Sequence, residues 1–182
     1  MGTKFSTRVW VSVVGIASIF FGSKGYADTV ISVADFGLKP DTRENAVAYV
    51  QKAIEACRGK EPVTLVFPEG RYDFWPQYAH EKNYYETNTY DVFPKRLAML
   101  FEGLHNITVD GNGSQFVMHD RIQPITVENC DGVTLKNFSI DWDIPLTAQA
   151  RVTKVGSDFF EIEINVLESP YIIEDGKLVF VG

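Results

Sequence analysis

Ala98-Met-Leu-Phe-Glu-Gly-Leu-His-Asn-Ile-Thr-Val-Asp-Gly111 and Pro124-Ile-Thr-Val-Glu-Asn-Cys-Asp-Gly-Val-Thr-Leu-Lys-Asn137 follow one pattern. Met99 falls on Ile125, Phe101 on Val127, Ile107 on Val133 and Val109 on Leu135, a constant offset of 26 residues. Each copy reads as a short apolar strand, a polar turn, and a second strand of apolar-Thr-apolar form. Gly111 or Asn137 closes it. A fixed period in the twenties marks a solenoid. The Leu and Asn pattern of a leucine-rich repeat is missing, and no helix lies inside the unit. The pattern therefore predicts an all-β fold, an incomplete parallel β-helix. A chance likeness between two hairpins is the alternative.

The segments before the repeat suit its open end. Thr29 to Val33 reads as a strand, and Ala34-Asp35-Phe36-Gly37 turns out of it. Ala46, Val47, Val50, Ala53, Ile54 and Cys57 recur on one face of a helix from about Arg43 to Cys57, with Asp41 or Thr42 as cap and Gly59 as stop. A solenoid end exposes apolar core, so an amphipathic helix there predicts a capping element. Val63 to Phe67 and Arg71 to Phe74 read as further strands. Residues 75–96 hold Trp75, Tyr78, Tyr84, Tyr85, Tyr90 and Phe93 without either period. A loop this long in a compact domain is usually functional.

After Pro145 the pattern changes. Thr147 to Val155 and Phe159 to Val166 alternate around Gly156-Ser157-Asp158, an antiparallel hairpin. Glu174-Asp175-Gly176 turns into Leu178–Val181. This predicts the start of an antiparallel β-barrel or sandwich insertion. The expected organisation is a leader over residues 1–27, cap and first coils over 28–146, and the start of the inserted subdomain over 147–182. An apolar strand meets the last residue, so the chain is expected to be the amino-terminal piece of a longer protein.

The first 27 residues have Lys4 and Arg8, an apolar run from Val9 to Gly22, and small residues before a cut after Ala27. This is the layout of a secretory signal peptide, and the run is short for a membrane span. A secreted or periplasmic protein is expected, with no membrane association after cleavage. The whole chain has 182 residues and a formal charge of −7. Loss of Lys4, Arg8 and Lys24 takes that to −10. An acidic surface argues against nucleic acid as partner. Aromatic residues make up 13% of the chain, which suits either a filled core or a sugar-stacking surface. Cys57 and Cys130 fit either a single disulfide or two buried thiols. His80 and His105 have no partner at metal-ligand spacing, so no metal and no cofactor are expected.

Two further sets of residues carry a resemblance. Val33-Ala-Asp-Phe-Gly37, Ala53-Ile54 and Val66-Phe-Pro-Glu-Gly-Arg-Tyr72 resemble the opening of secreted β-helix carbohydrate enzymes, pectate-lyase-like proteins among them. Tyr84-Tyr85-Glu-Thr-Asn88, Pro94-Lys-Arg-Leu97, Asn106-Ile-Thr-Val-Asp-Gly-Asn-Gly-Ser114 and Asn137-Phe-Ser-Ile-Asp-Trp-Asp-Ile-Pro145 resemble the amino-terminal part of bacterial α-1,3-galactosidases of glycoside hydrolase family 110. The likeness covers nearly all of residues 30–182. It implies a right-handed β-helix with β-barrel insertions. It also implies exo-acting removal of terminal α-1,3-linked galactose with inversion, acting on α-galactoside-terminated glycans. Members are several times longer, and the resemblance places their catalytic acids on later coils, beyond residue 182. The fragment alone is therefore expected to be inactive. A lyase or polygalacturonase, or a non-catalytic carbohydrate-binding module, are the alternatives.

Inverting hydrolysis needs two carboxyl groups about 6.5–9.5 Å apart. Asp141 and Asp143 alternate on one strand face opposite Trp142, which gives the best local pair, and two turn-forming acids fit the same residues. Asp110, before Gly111-Asn112-Gly113, reads as a turn residue. His119, Asp120 and Arg121 form a polar cluster, in which Arg121 holds either a sugar hydroxyl or a surface ion pair. Tyr84, Tyr85 and Asn88 combine flat rings with a hydrogen-bonding group, as sugar sites do, and they equally fit loop packing.

Overall fold

The computed structural model describes residues 29–83 and 93–181. The described residues are mostly strand, with one α-helix among them, and the larger sheets are built on parallel pairing. The elements in chain order are β1 (Thr29–Ser32), α1 (Val47–Cys57), β2 (Val63–Val66), β3 (Arg71–Phe74), β4 (His80–Lys82), β5 (Lys95–Glu102), β6 (His105–Met118), β7 (Gln123–Glu128) and β8 (Asp131–Trp142), followed by β9 (Ala150–Val155), β10 (Phe160–Ile164), β11 (Tyr171–Glu174) and β12 (Lys177–Phe180). A single 3-10 turn, Val33–Phe36, follows β1.

The 26-residue repeat is the pairing register itself. Met99 lies opposite Ile125 and Phe101 opposite Val127 where β5 meets β7. Ile107 lies opposite Val133 and Val109 opposite Leu135 where β6 meets β8. Both pairs of strands are parallel. On the other edge of β6, β2 pairs with its first half and β3 with its second. With β1 parallel to β2, the result is four stacked layers: β1, then β2 with β3, then β6, then β8. The β6–β8 register shifts between Asp110 and Ser114, where Gly111-Asn112-Gly113 bends the strand. Gly111 faces its neighbour closely: a Cβ there would sit 2.5 Å from Phe138 Cβ and 2.7 Å from the Asn137 carbonyl oxygen.

The core lies between the two parallel sheets and under α1. Val63, Leu65, Met99, Phe101, Ile107, Val109, Phe116 and Met118 fill it. Phe67, Tyr72, Phe74 and Phe116 form an aromatic cluster with centroids 4.8–6.2 Å apart, and Phe138 stacks on Phe116 from the next layer. The apolar face read for α1 is buried at every position from Ala46 to Cys57. Burial of each large aliphatic residue there contributes about 1.5–3 kcal/mol.

Two local differences have clear causes. The helix starts at Val47 rather than near Arg43, because Asp41 and Arg43 both have φ 61 and leave the helical region. Asp41 instead accepts the Arg71 backbone N–H at 2.9 Å, pinning this segment to β3. Asn45, and neither Asp41 nor Thr42, supplies the helix-start contact, accepting the Val47 N–H at 3.1 Å. The aperiodic stretch after β3 also contains β4, antiparallel to β5. Three residues are too few to show a period. Lys82 fastens β4 by reaching Glu102 and Glu128, at 2.8 and 2.6 Å, which stand side by side on β5 and β7.

Beyond β8 the chain forms two separate antiparallel hairpins, β9–β10 and β11–β12. The first turns at Gly156 and the second at Asp175-Gly176, both of the latter with positive φ, as a two-residue hairpin requires. Among the described residues, no helix is long and apolar enough to cross a membrane.

Candidate functional site

Three rows of side chains cross the stacked layers near the ends of β3, β6 and β8. The pairing aligns Arg71 with Gln115 and Ser139, and Asp73 with Val117 and Asp141. One step further, the His119 N–H donates to the Phe74 carbonyl and the Asp143 N–H to that of Met118. That continuation brings Trp75, His119 and Asp143 into one row. Residues 24 to 68 apart in sequence thereby share a row.

Asp73 is the centre of the cluster, and its side chain is fully buried. The Arg71 guanidinium grips it through Nε at 3.0 and 3.1 Å and Nη2 at 2.6 Å. His119 Nε2 lies 2.8 Å from the same carboxylate. Burial alone would push this carboxyl up. The hydrogen bonds from Arg71 and His119, with their charges, outweigh burial and hold it below the ordinary range. The same pairing with Asp73 raises Arg71 further above its already high value. Asp143 stands at the solvent side, 2.9 Å from Arg71, 3.8 Å from Arg43 and 3.9 Å from His119 Nδ1. Trp75 stacks flat on His119, with centroids 3.9 Å apart and planes 7° apart.

Beside this cluster is a surface concavity of about 350 Å³ lined by Arg43, Asn45, Trp75, Gln77 and Tyr78. Its floor is held by Asn45, which accepts the Trp75 N–H and donates to the Gln77 carbonyl at 2.9 Å. Among the described residues, no three His, Cys, Asp or Glu side chains converge to hold a metal ion. Asp73 is ionised and saturated by its partners. A general acid needs the opposite, a carboxyl whose proton is retained.

Of the residues singled out in the sequence, Asp143 joins the cluster, and its carboxylate partner across the site is Asp73. Asp141 is exposed and accepts the backbone N–H of Trp142 at 2.8 Å. Arg121 is exposed on the tight turn after β6, its N–H donating to the Asp120 carboxylate. Asp110 takes its turn role: it accepts the Asn112 N–H, and Asn137 from the next layer donates to it at 2.9 Å. Tyr84, Tyr85 and Asn88 lie outside the described residues. Cys57 and Cys130 are both free. Sequence reading missed Asp73, Arg71, Arg43 and Trp75. The charged-apolar alternation of Arg71-Tyr-Asp-Phe74 was the signal that puts Arg71 and Asp73 on the face away from the core.

No family model matches the chain. Curated relatives do. It is 61% identical over 156 residues to alpha-1,3-galactosidase B of Bacteroides thetaiotaomicron, covering 86% of this chain and 25% of that protein. The relatives it matches are named alpha-1,3-galactosidases. Alpha-1,3-galactosidase A of Shewanella woodyi is 37% identical over 153 residues, 84% of this chain and 25% of the relative. Alpha-1,3-galactosidase B of Phocaeicola vulgatus is 36% identical over 159 residues, 85% and 25%. The chain thus spans about a quarter of the length of these galactosidases, and the match agrees with the partial resemblance read from its motifs.

Proposed function

We propose that the complete protein is an exported, exo-acting glycoside hydrolase that removes terminal α-1,3-linked galactose with inversion. Within it, residues 28–146 form the cap and first coils of a right-handed parallel β-helix, and residues 147–182 begin an inserted antiparallel subdomain. The observation that carries this reading is the 61% identity, across nearly all the described chain, to a relative named alpha-1,3-galactosidase B. Parallel pairing at a 26-residue offset supports the solenoid. The basic start, the apolar run and Gly25-Tyr26-Ala27 support export. The catalytic acids belong to coils outside this chain, and the saturated state of Asp73 is in keeping with that.

The test compares substrates. The complete gene product should release galactose from α-1,3-galactosides and leave polygalacturonate intact. Residues 28–182 alone should release none. Cleavage of polygalacturonate, or galactose release by the short polypeptide, would overturn the respective part of the reading.

A further inference from the structure

The loop leaving β3 is built to hold an aromatic ring in solvent. Tyr78 is 75% exposed, so core packing does not require a tyrosine there. Its φ is 69, a left-handed conformation that costs a non-glycine residue about 1–2 kcal/mol. The surrounding contacts over-determine it. Gln51, from α1, donates to the Tyr78 carbonyl at 2.7 Å, Asn45 to those of Gln77 and Trp75, and the Ala79 N–H closes on the Pro76 carbonyl at 3.1 Å. Across the concavity Arg43 is also left-handed, with 61% of its side chain exposed. Strain that neighbouring groups hold in place clusters at ligand sites.

The lining has the chemistry of a sugar site. Trp75 and Tyr78 offer ring faces for the C–H surface of a pyranose. Arg43 and Gln77 offer donors and acceptors for its hydroxyls, while Asn45, spent on the backbone, fixes the loop. The local charge is balanced, since Arg43 and Arg71 face Asp73 and Asp143. An anionic sugar gains nothing there over a neutral one. We propose that this concavity is a non-catalytic subsite for a neutral hexosyl unit of a glycan, packed on Trp75 and Tyr78 and hydrogen-bonded by Arg43 and Gln77. The sugar's identity as part of an α-galactoside rests on the hydrolase reading. The site itself rests on its own geometry.

The experiment uses the complete gene product and an α-galactoside carrying a photoreactive diazirine, with labelled peptides mapped by mass spectrometry. Mapping by peptide separates this concavity from any catalytic pocket. The expected result is saturable labelling of the Trp75–Tyr78 peptide, competed by methyl α-galactoside more strongly than by galacturonate. Tyr78→Ala should raise half-saturation by about tenfold, and Tyr78→Phe, which keeps the ring, by less than about threefold. Melting curves of both variants should match the parent, because the ring is exposed. Labelling only elsewhere, stronger competition by galacturonate, or equal behaviour of the two variants overturns the proposal. Galactose release is measured on the same preparations. Its absence alongside Tyr78-dependent labelling would defeat the hydrolase reading and leave the subsite standing.

Discussion

Asp73 shows how much one buried carboxylate can organise. It takes Arg71 from its own strand and His119 from the next layer, and it lies 3.9 Å from Arg43. Removing one partner of a buried pair leaves the other uncompensated. Asp73→Asn should therefore lower stability by about 2–4 kcal/mol in urea denaturation, less than a fully isolated pair because Asp143 still holds Arg71. The pH dependence has a definite sign. The folded carboxyl titrates below its unfolded value of about 3.9. Its contribution is present above that value and is lost as pH falls through the lowered one. The gap between parent and Asp73→Asn should close as pH falls below about 4. A second residue-scale expectation concerns the thiols. Burial pushes Cys57 up to about 11, so it is protonated and shielded at neutral pH. Iodoacetamide should label Cys130 in the folded protein and Cys57 only on unfolding. The site was half legible at this scale. Asp143 and His119 stood out as polar residues after strands. Asp73 did not, because a single acid within a short strand looks like an ordinary exposed position until pairing buries it.

Elements were legible where the physics is periodic. The register of β5 on β7 and of β6 on β8 could be read from apolar positions alone, since a one-residue slip would turn the buried face outward. The face of α1 was legible for the same reason. Its start was not, because the segment before it obeys tertiary contacts: Asp41 is bound to β3, and Asn45 serves both the helix and the Trp75–Tyr78 loop. Asn45→Ala should cost about 1 kcal/mol from the lost helix-start contact and speed amide exchange at Trp75. The bend in β6 makes a second contrast. Gly111→Ala drives a Cβ into Phe138 and Asn137 and should cost more than about 2 kcal/mol. Gly113→Ala meets open space and should cost only the left-handed strain at φ 84, about 1–2 kcal/mol. Equal effects in urea denaturation would show that β6 and β8 are not this closely apposed.

At the scale of the whole molecule, the stacked strands, α1 and the hairpins belong to a chain that matches a quarter of the length of alpha-1,3-galactosidases. Local periodicity was enough for the all-β class, the parallel pairing and the hairpins. Terminal sequencing of the exported protein should begin at Asp28, the residue after the expected cut. The most direct measurement follows galactose release from an α-1,3-linked disaccharide by proton NMR, using the complete gene product. Inverting hydrolysis predicts that β-galactose appears first and mutarotates later. Release of α-galactose first would contradict the inverting mechanism, and no release at all would contradict the assignment as a galactosidase.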